Sequence, residues 1–201
     1  VIGVRNPKII SFGPRPQDFF ACNAPIKGLY QIGVEIEENS ELDLLVAYKA
    51  HANDPRIADV CADMAAEMGE GNYYPDLLER MAQFELTLLD WAEQHKGARK
   101  YVAFADKCWP AFPEEFGFEP CFVNSRLATR GIPVACEVDI YGALSEYIGM
   151  CASDDTVTLL DINNSVPASL YEEQIAGKFE QDWKLTGTFM GFHCGNTPSC
   201  K

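Results

Sequence analysis

Two acids, Glu137 and Asp161, each follow a short apolar, β-branched run: Ile132 to Cys136 before the first, Thr156 to Leu160 before the second. Between them, Val138 to Cys151 carries Ile140, Ala143, Leu144, Tyr147 and Ile148 at helical spacing. The stretch from Gly131 to Asn164 therefore reads as strand, helix, strand. In open α/β sheets ligands sit at the carboxyl ends of strands, so the two carboxylates are expected side by side at one rim. Converging carboxylates repel unless a proton or a cation separates them, and oxygen ligands suit Mn²⁺ or Mg²⁺. A plainer account also fits the same residues. Glu137 would be an acid favoured by a helix N-terminus, and Asp161 a turn former. Residue types and spacing leave both open.

The preceding chain supplies the elements that would position this rim. Lys8 to Phe12 is an apolar strand, followed by the loop Gly13-Pro14-Arg15-Pro16. Asp18 is placed to cap a helix reaching about Leu29, with Phe19, Phe20 and Leu29 inward. Val34 to Ile36 is a brief β-like run. Ser40 is a good N-cap for a helix over 41–49 with Leu42, Leu45 and Val46 inward. A further helix runs from Asp54-Pro55 to about Met68, and a long one from Pro75 to about His95. His51 and His95 fall at helix ends and read as cap or surface histidines. Tyr101 to Ala105 is a strand. Its loop carries Asp106, Trp109 and Glu115, which would share the rim of Glu137. A short helix lies within 119–130.

Beyond the central stretch the pattern changes. Residues 163–177 are polar and turn-rich, and Thr186 to Phe192 alternates like an antiparallel strand ending at His193. The expected organisation is an α/β domain over 1–152, a Rossmann-like parallel sheet flanked by helices, followed by the start of a β-rich domain over 153–201.

The formal charge of −14 argues against nucleic acid and an anionic membrane as partners. No run of 18 apolar residues occurs, and the first residues do not form a signal peptide. Eight cysteines are scattered without a CxxC pair. They read as reduced thiols of a cytoplasmic protein rather than as a disulfide or structural zinc framework. A start without Met and an end at NTPSCK suggest a piece of a longer protein.

Cys108-Trp109-Pro110, Gly131-Ile132-Pro133, Cys136-Glu137-Val138-Asp139 and Leu160-Asp161-Ile162 together resemble the L-fucose isomerase and L-arabinose isomerase family. The resemblance covers most of residues 8 to 198 and is nearest the L-fucose isomerase side. It implies a metal-dependent aldose–ketose isomerase, with residues 1–152 like that family's central domain and 153–201 like the incomplete start of its C-terminal domain. Glu137 and Asp161 would both ligate Mn²⁺ and exchange protons with the sugar through an enediol, with His193 a further ligand. Trp109, Arg15 and Asn163 would contact the sugar. A hydride shift would use the same metal without such a base, and the sequence does not separate the two routes. The family forms homo-oligomers, and it has a domain ahead of Val1 and a metal-ligating histidine beyond Lys201. The 201-residue chain alone is therefore expected to bind the metal weakly and turn over little. The rivals are a sugar-binding module without chemistry and a structural module whose acids only cap helices.

Overall fold

The computed structural model describes residues 6–193. They divide into two compact units, one ending at Thr158 and the other beginning at Leu159.

The larger unit is built on four parallel strands: β1 (Pro7–Phe12), β2 (Glu35–Asn39), β3 (Tyr101–Asp106) and β4 (Val134–Ala135), in the order β2-β1-β3-β4. Strands β1, β3 and β4 are buried on both faces, which is why β1 and β3 read as mainly apolar runs rather than alternating ones, while β2, at the sheet edge, buries only Ile36. On one face Ile10, Phe12, Val102, Phe104 and Val134 join a core. That core is completed by α2 (Glu41–Ala50), α3 (Ile57–Met68), α4 (Leu78–His95), α5 (Ala111–Phe116) and α6 (Cys121–Thr129). On the other face Ile9, Ala103, Ala105 and Ala135 pack with residues of α7 (Ile140–Ser153) and with Leu29. Small alanines on that side let α7 lie close to the sheet. The architecture is the parallel α/β fold that the strand and helix pattern implied.

Several local expectations need correction. The helix expected from Asp18 to Leu29 is two pieces, a 3₁₀ segment Gln17–Asn23 and the short helix α1 (Lys27–Gln31). Pro25 explains the break, because the residue before a proline is driven out of the helical region, and Ala24 is extended at ψ 146°. Phe19 and Phe20 are consequently exposed. In α2, Ser40 forms the expected cap, with a reciprocal capping box to Asp43. The face was misjudged, since Leu44 and Tyr48 are buried while Leu42 and Val46 are exposed. Apolar residues surround this helix, so periodicity alone does not pick its inner side.

The expected strand over Thr156 to Leu160 does not form. In the smaller unit β5 (Asp161–Asn163) pairs antiparallel with β6 (Met190–Phe192), placing Asp161 opposite Phe192. Edge strand β4 pairs over only two residues, Val134 and Ala135 with Phe104 and Ala105. So short a ladder offers little template for a fifth parallel strand. A helix, α8 (Ala168–Gln174), was not anticipated in the turn-rich segment. With Trp183 and Phe189 its Leu170 lines an apolar hollow of about 410 Å³ within this unit.

Candidate functional site

Where β3 and β4 end, the chain makes two turns that bring four polar side chains together. Asp106 closes β3 and is fully buried. Its Oδ2 accepts a 2.9 Å bond from Asn124 Nδ2, on α6. The remaining oxygens of this pair, Asp106 Oδ1 and Asn124 Oδ1, have no hydrogen-bond partner. Burial pushes the Asp106 carboxyl up to about 7, with the Asn124 amide opposing and the charge of Glu137 adding to the rise. Below about pH 7 a buried carboxyl in this setting holds its proton.

Two residues on, Cys108 is buried and its Sγ lies 3.9 Å from Glu137 Oε1. Cys136, at the end of β4, is buried beside them. The Cys108 and Cys136 sulfurs and a Glu137 oxygen all fall within 4.8 Å of one another. The hydrogen bond with Cys108, and then burial, hold the Cys136 thiol far above its ordinary pKa. Trp109, joined to Pro110 by a cis bond, is half exposed in the same loop.

The backbone at Glu137 is unusual. Glu137 and Val138 both have φ +55°, a left-handed conformation that is costly for any residue with a Cβ and most so for a β-branched one. One tertiary bond and one local turn bond hold it there. The Val138 N–H donates to the Asp106 carbonyl at 3.0 Å, and the Asp139 N–H to that of Cys136 at 3.0 Å. Asp139 then caps α7, accepting from the Gly142 N–H at 2.8 Å. Strain of about 1–3 kcal/mol per residue concentrates at functional positions. The corner aims Glu137, rather than Val138, at the half-buried mouth of the rim: Val138 packs in the core beside Ile140. Glu137→Gly is expected to raise stability by about 1 kcal/mol by relieving the left-handed strain while deleting the carboxylate. Urea denaturation checks this, and a loss of stability would mean that the side chain itself holds the corner.

The other residues singled out by sequence fall elsewhere. Asp161 and His193 lie in the smaller unit, where the charge of Asp161 acts on His193. Burial lowers the His193 pKa and Asp161 partly offsets it. Asn163 is exposed, its Oδ1 accepting from the Ser165 N–H at 2.8 Å in a turn of its own. Arg15 donates to the Ala24 carbonyl and so braces its loop. Glu115 lines a cavity of about 210 Å³ with Phe12, Glu41 and Lys107. His51 caps α2 and meets Asp90 at 3.1 Å, and His95 meets Glu37 at 2.8 Å. Asn124 was not foreseen, because a polar residue inside a helical segment carries no sign of the strand it will face.

In donor chemistry, Asp161 and His193 of the smaller unit supply a carboxylate and an imidazole, donor types compatible with Mn²⁺. The ligand-type groups immediately around Glu137 are softer, the two thiols just described.

The larger unit is thus a parallel α/β domain with a carboxylate- and thiol-bearing rim at the carboxyl ends of its central strands. No protein-family model matches the chain. The chain is similar to curated sulfoquinovose isomerases. It is 29% identical over 145 residues to that of Clostridium sp. (strain MSTE9), covering 71% of this chain and 31% of the relative. To that of Priestia megaterium it is 30% identical over 146 residues, covering 70% and 31%. To that of Alkalicoccus urumqiensis it is 38% identical over 120 residues, covering 58% and 26%. The chain therefore spans less than a third of the length of these relatives. Among the described residues, no helix is long and apolar enough to cross a membrane.

Proposed function

We propose that this chain is part of an aldose–ketose isomerase acting on a sugar, of the kind to which the L-fucose and L-arabinose isomerases belong. The observation that carries the reading is the similarity to sulfoquinovose isomerases over about 70% of the chain. The strained carboxylate rim supports it from an independent direction.

Aldose–ketose interconversion removes a proton from the carbon beside the carbonyl and returns one to the carbonyl carbon. In the enediol route a positioned carboxylate takes the first proton, and an acid serves the oxygen on which charge develops. Glu137 is the base in this reading. Its backbone is fixed by the bonds from Val138 and Asp139, so its carboxylate needs little reorganisation to meet a substrate. Asp106 stays buried behind it, bonded to Asn124. Asp161 is the second proton-transferring acid, and Trp109 offers an aromatic face to the sugar's C–H groups. Asp161 and His193 would serve as donors to Mn²⁺, an ion that would supply stabilisation of the developing enediolate oxygen.

Running the reaction in D₂O with the full-length protein tests the route. The account predicts solvent deuterium on the carbon that receives the proton. Conversion without any deuterium uptake would point to a hydride shift and remove Glu137 from the role of base.

A further inference from the structure

Two clusters of ligand-type side chains occur among the described residues of the larger unit. In the first, His51, Asp54 and Asp90 converge. A cation already serves it: Arg56 donates to both acids, to Asp90 Oδ1 at 3.0 Å and to Asp54 Oδ1 at 2.9 Å. That cluster has no need of a metal.

The second is the rim trio of Cys108, Cys136 and Glu137. Its ligand atoms lie within 4.8 Å of one another, and the thiols are only 7% and 3% exposed. Three buried or half-buried donors on rigid supports differ from an exposed acidic patch. Cys136 and Glu137 are fixed by the strained corner, and Cys108 follows β3 by two residues. In a tetrahedral site, bonds of about 2.3 Å to sulfur and about 2.0–2.2 Å to oxygen place neighbouring ligand atoms roughly 3.5–4 Å apart. The observed Cys108–Glu137 separation of 3.9 Å already meets that spacing. Thiolates select soft or borderline ions over Mn²⁺.

We propose that Cys108, Cys136 and Glu137 form a site for one thiophilic divalent cation of the zinc class, its fourth position left open to water. Binding displaces the two thiol protons to solvent and forms two metal–sulfur bonds and one metal–oxygen bond, with no change of oxidation state. A consequence, which rests on the isomerase reading above, is that such an ion captures the Glu137 carboxylate and inhibits proton transfer.

Cobalt(II) titration of the reduced 201-residue chain tests the site without reference to activity. The expected result is one Co²⁺ per chain, with the near-ultraviolet thiolate-to-cobalt band and the visible bands of a tetrahedral ion, and displacement by Zn²⁺. Cys108→Ser and Cys136→Ser should each cut the thiolate band by about half and weaken binding by about tenfold or more, as losses around metal sites commonly do. Because a buried serine can disturb packing, Glu137→Gln, at the half-buried position, is the second variant. It should keep the thiolate band and still weaken binding about tenfold. Absence of a thiolate band, or binding unchanged in all three variants, overturns the site. In the full-length protein, inhibition by Zn²⁺ that Cys108→Ser relieves supports the consequence. A cobalt site without inhibition overturns the consequence alone.

Discussion

Arg126→Met is expected to destabilise the α/β unit by about 3–5 kcal/mol, the usual result of breaking a buried ion pair from one side. The Arg126 side chain is wholly buried on α6. Its Nε donates to Glu85 Oε2 at 2.7 Å, and Nη2 to Asp63 Oδ2 at 2.7 Å, while Nη1 meets Glu67. One guanidinium thus ties α3 and α4 to α6. Glu85 is also buried, with a side chain 4% exposed, and its other cation, Arg130, stands off at 3.8 Å. Removing Arg126 strands the Glu85 charge in the interior. At about 2–4 °C per kcal/mol for a unit of this size, the melting temperature should fall by roughly 10 °C. The double variant Arg126→Met, Glu85→Met should recover most of the loss, because two apolar side chains of similar volume remove the charge together with its partner. A double variant no more stable than the single would place the cost in packing instead.

Asp106→Asn is expected to remove a pH dependence on the order of 4 kcal/mol. The folded carboxyl titrates at about 7, and an unfolded aspartate near 4. The folded pKa is therefore the higher one. This contribution to stability is complete below about pH 4 and is lost as pH rises to about 7, at about 1.4 kcal/mol per unit. Between pH 5 and 8 the wild type should thus lose stability relative to the variant. His193, whose folded pKa is lowered, works the other way in both proteins and cancels in the comparison. The amide also answers the unpaired oxygens. A protonated Asp106 can donate to Asn124 Oδ1, and the variant's amide can do so at every pH. Denaturation midpoints for both proteins across this range check the prediction, and parallel curves would show that Asp106 is not the titrating group.

Much of this architecture is legible in the chain itself. Strands β1 and β3 are mainly apolar runs and α4 shows a clear apolar face, because burial imposes a pattern that residue types reveal. The Ser40 cap is local chemistry and reads directly. The inner face of α2 does not, since apolar residues lie all round it and packing makes the choice. The failed strand at Thr156 to Leu160 had the right composition, but whether a strand forms depends on a partner edge elsewhere in the chain.

At the rim, Glu137 is visible because it follows an apolar run. Its left-handed backbone is not, because neither Glu nor Val favours that conformation and it is sustained by the long-range bond from Val138 to Asp106 together with a local turn bond from Asp139 to Cys136. The bond between Asp106 and Asn124, like the meeting of Cys108 with Cys136, joins segments distant in sequence. Nothing in their spacing signals it, and the absence of a CxxC pair points away from a metal. The strand–helix–strand pattern places Asp161 just past a strand of the sheet that carries Glu137, whereas Asp161 opens β5, which pairs with Met190–Phe192 in the smaller unit.

The most direct test of the isomerase reading is conversion of aldoses to ketoses by the full-length protein, on a panel including sulfoquinovose, L-fucose and L-arabinose, with Mn²⁺ present. Glu137→Gln is run alongside, its fold checked by circular dichroism. The account predicts conversion of at least one sugar and a loss of about 10²–10⁴-fold in kcat in the variant, the span of a general base. Conversion of none of these sugars, or an unimpaired Glu137→Gln enzyme, would contradict it.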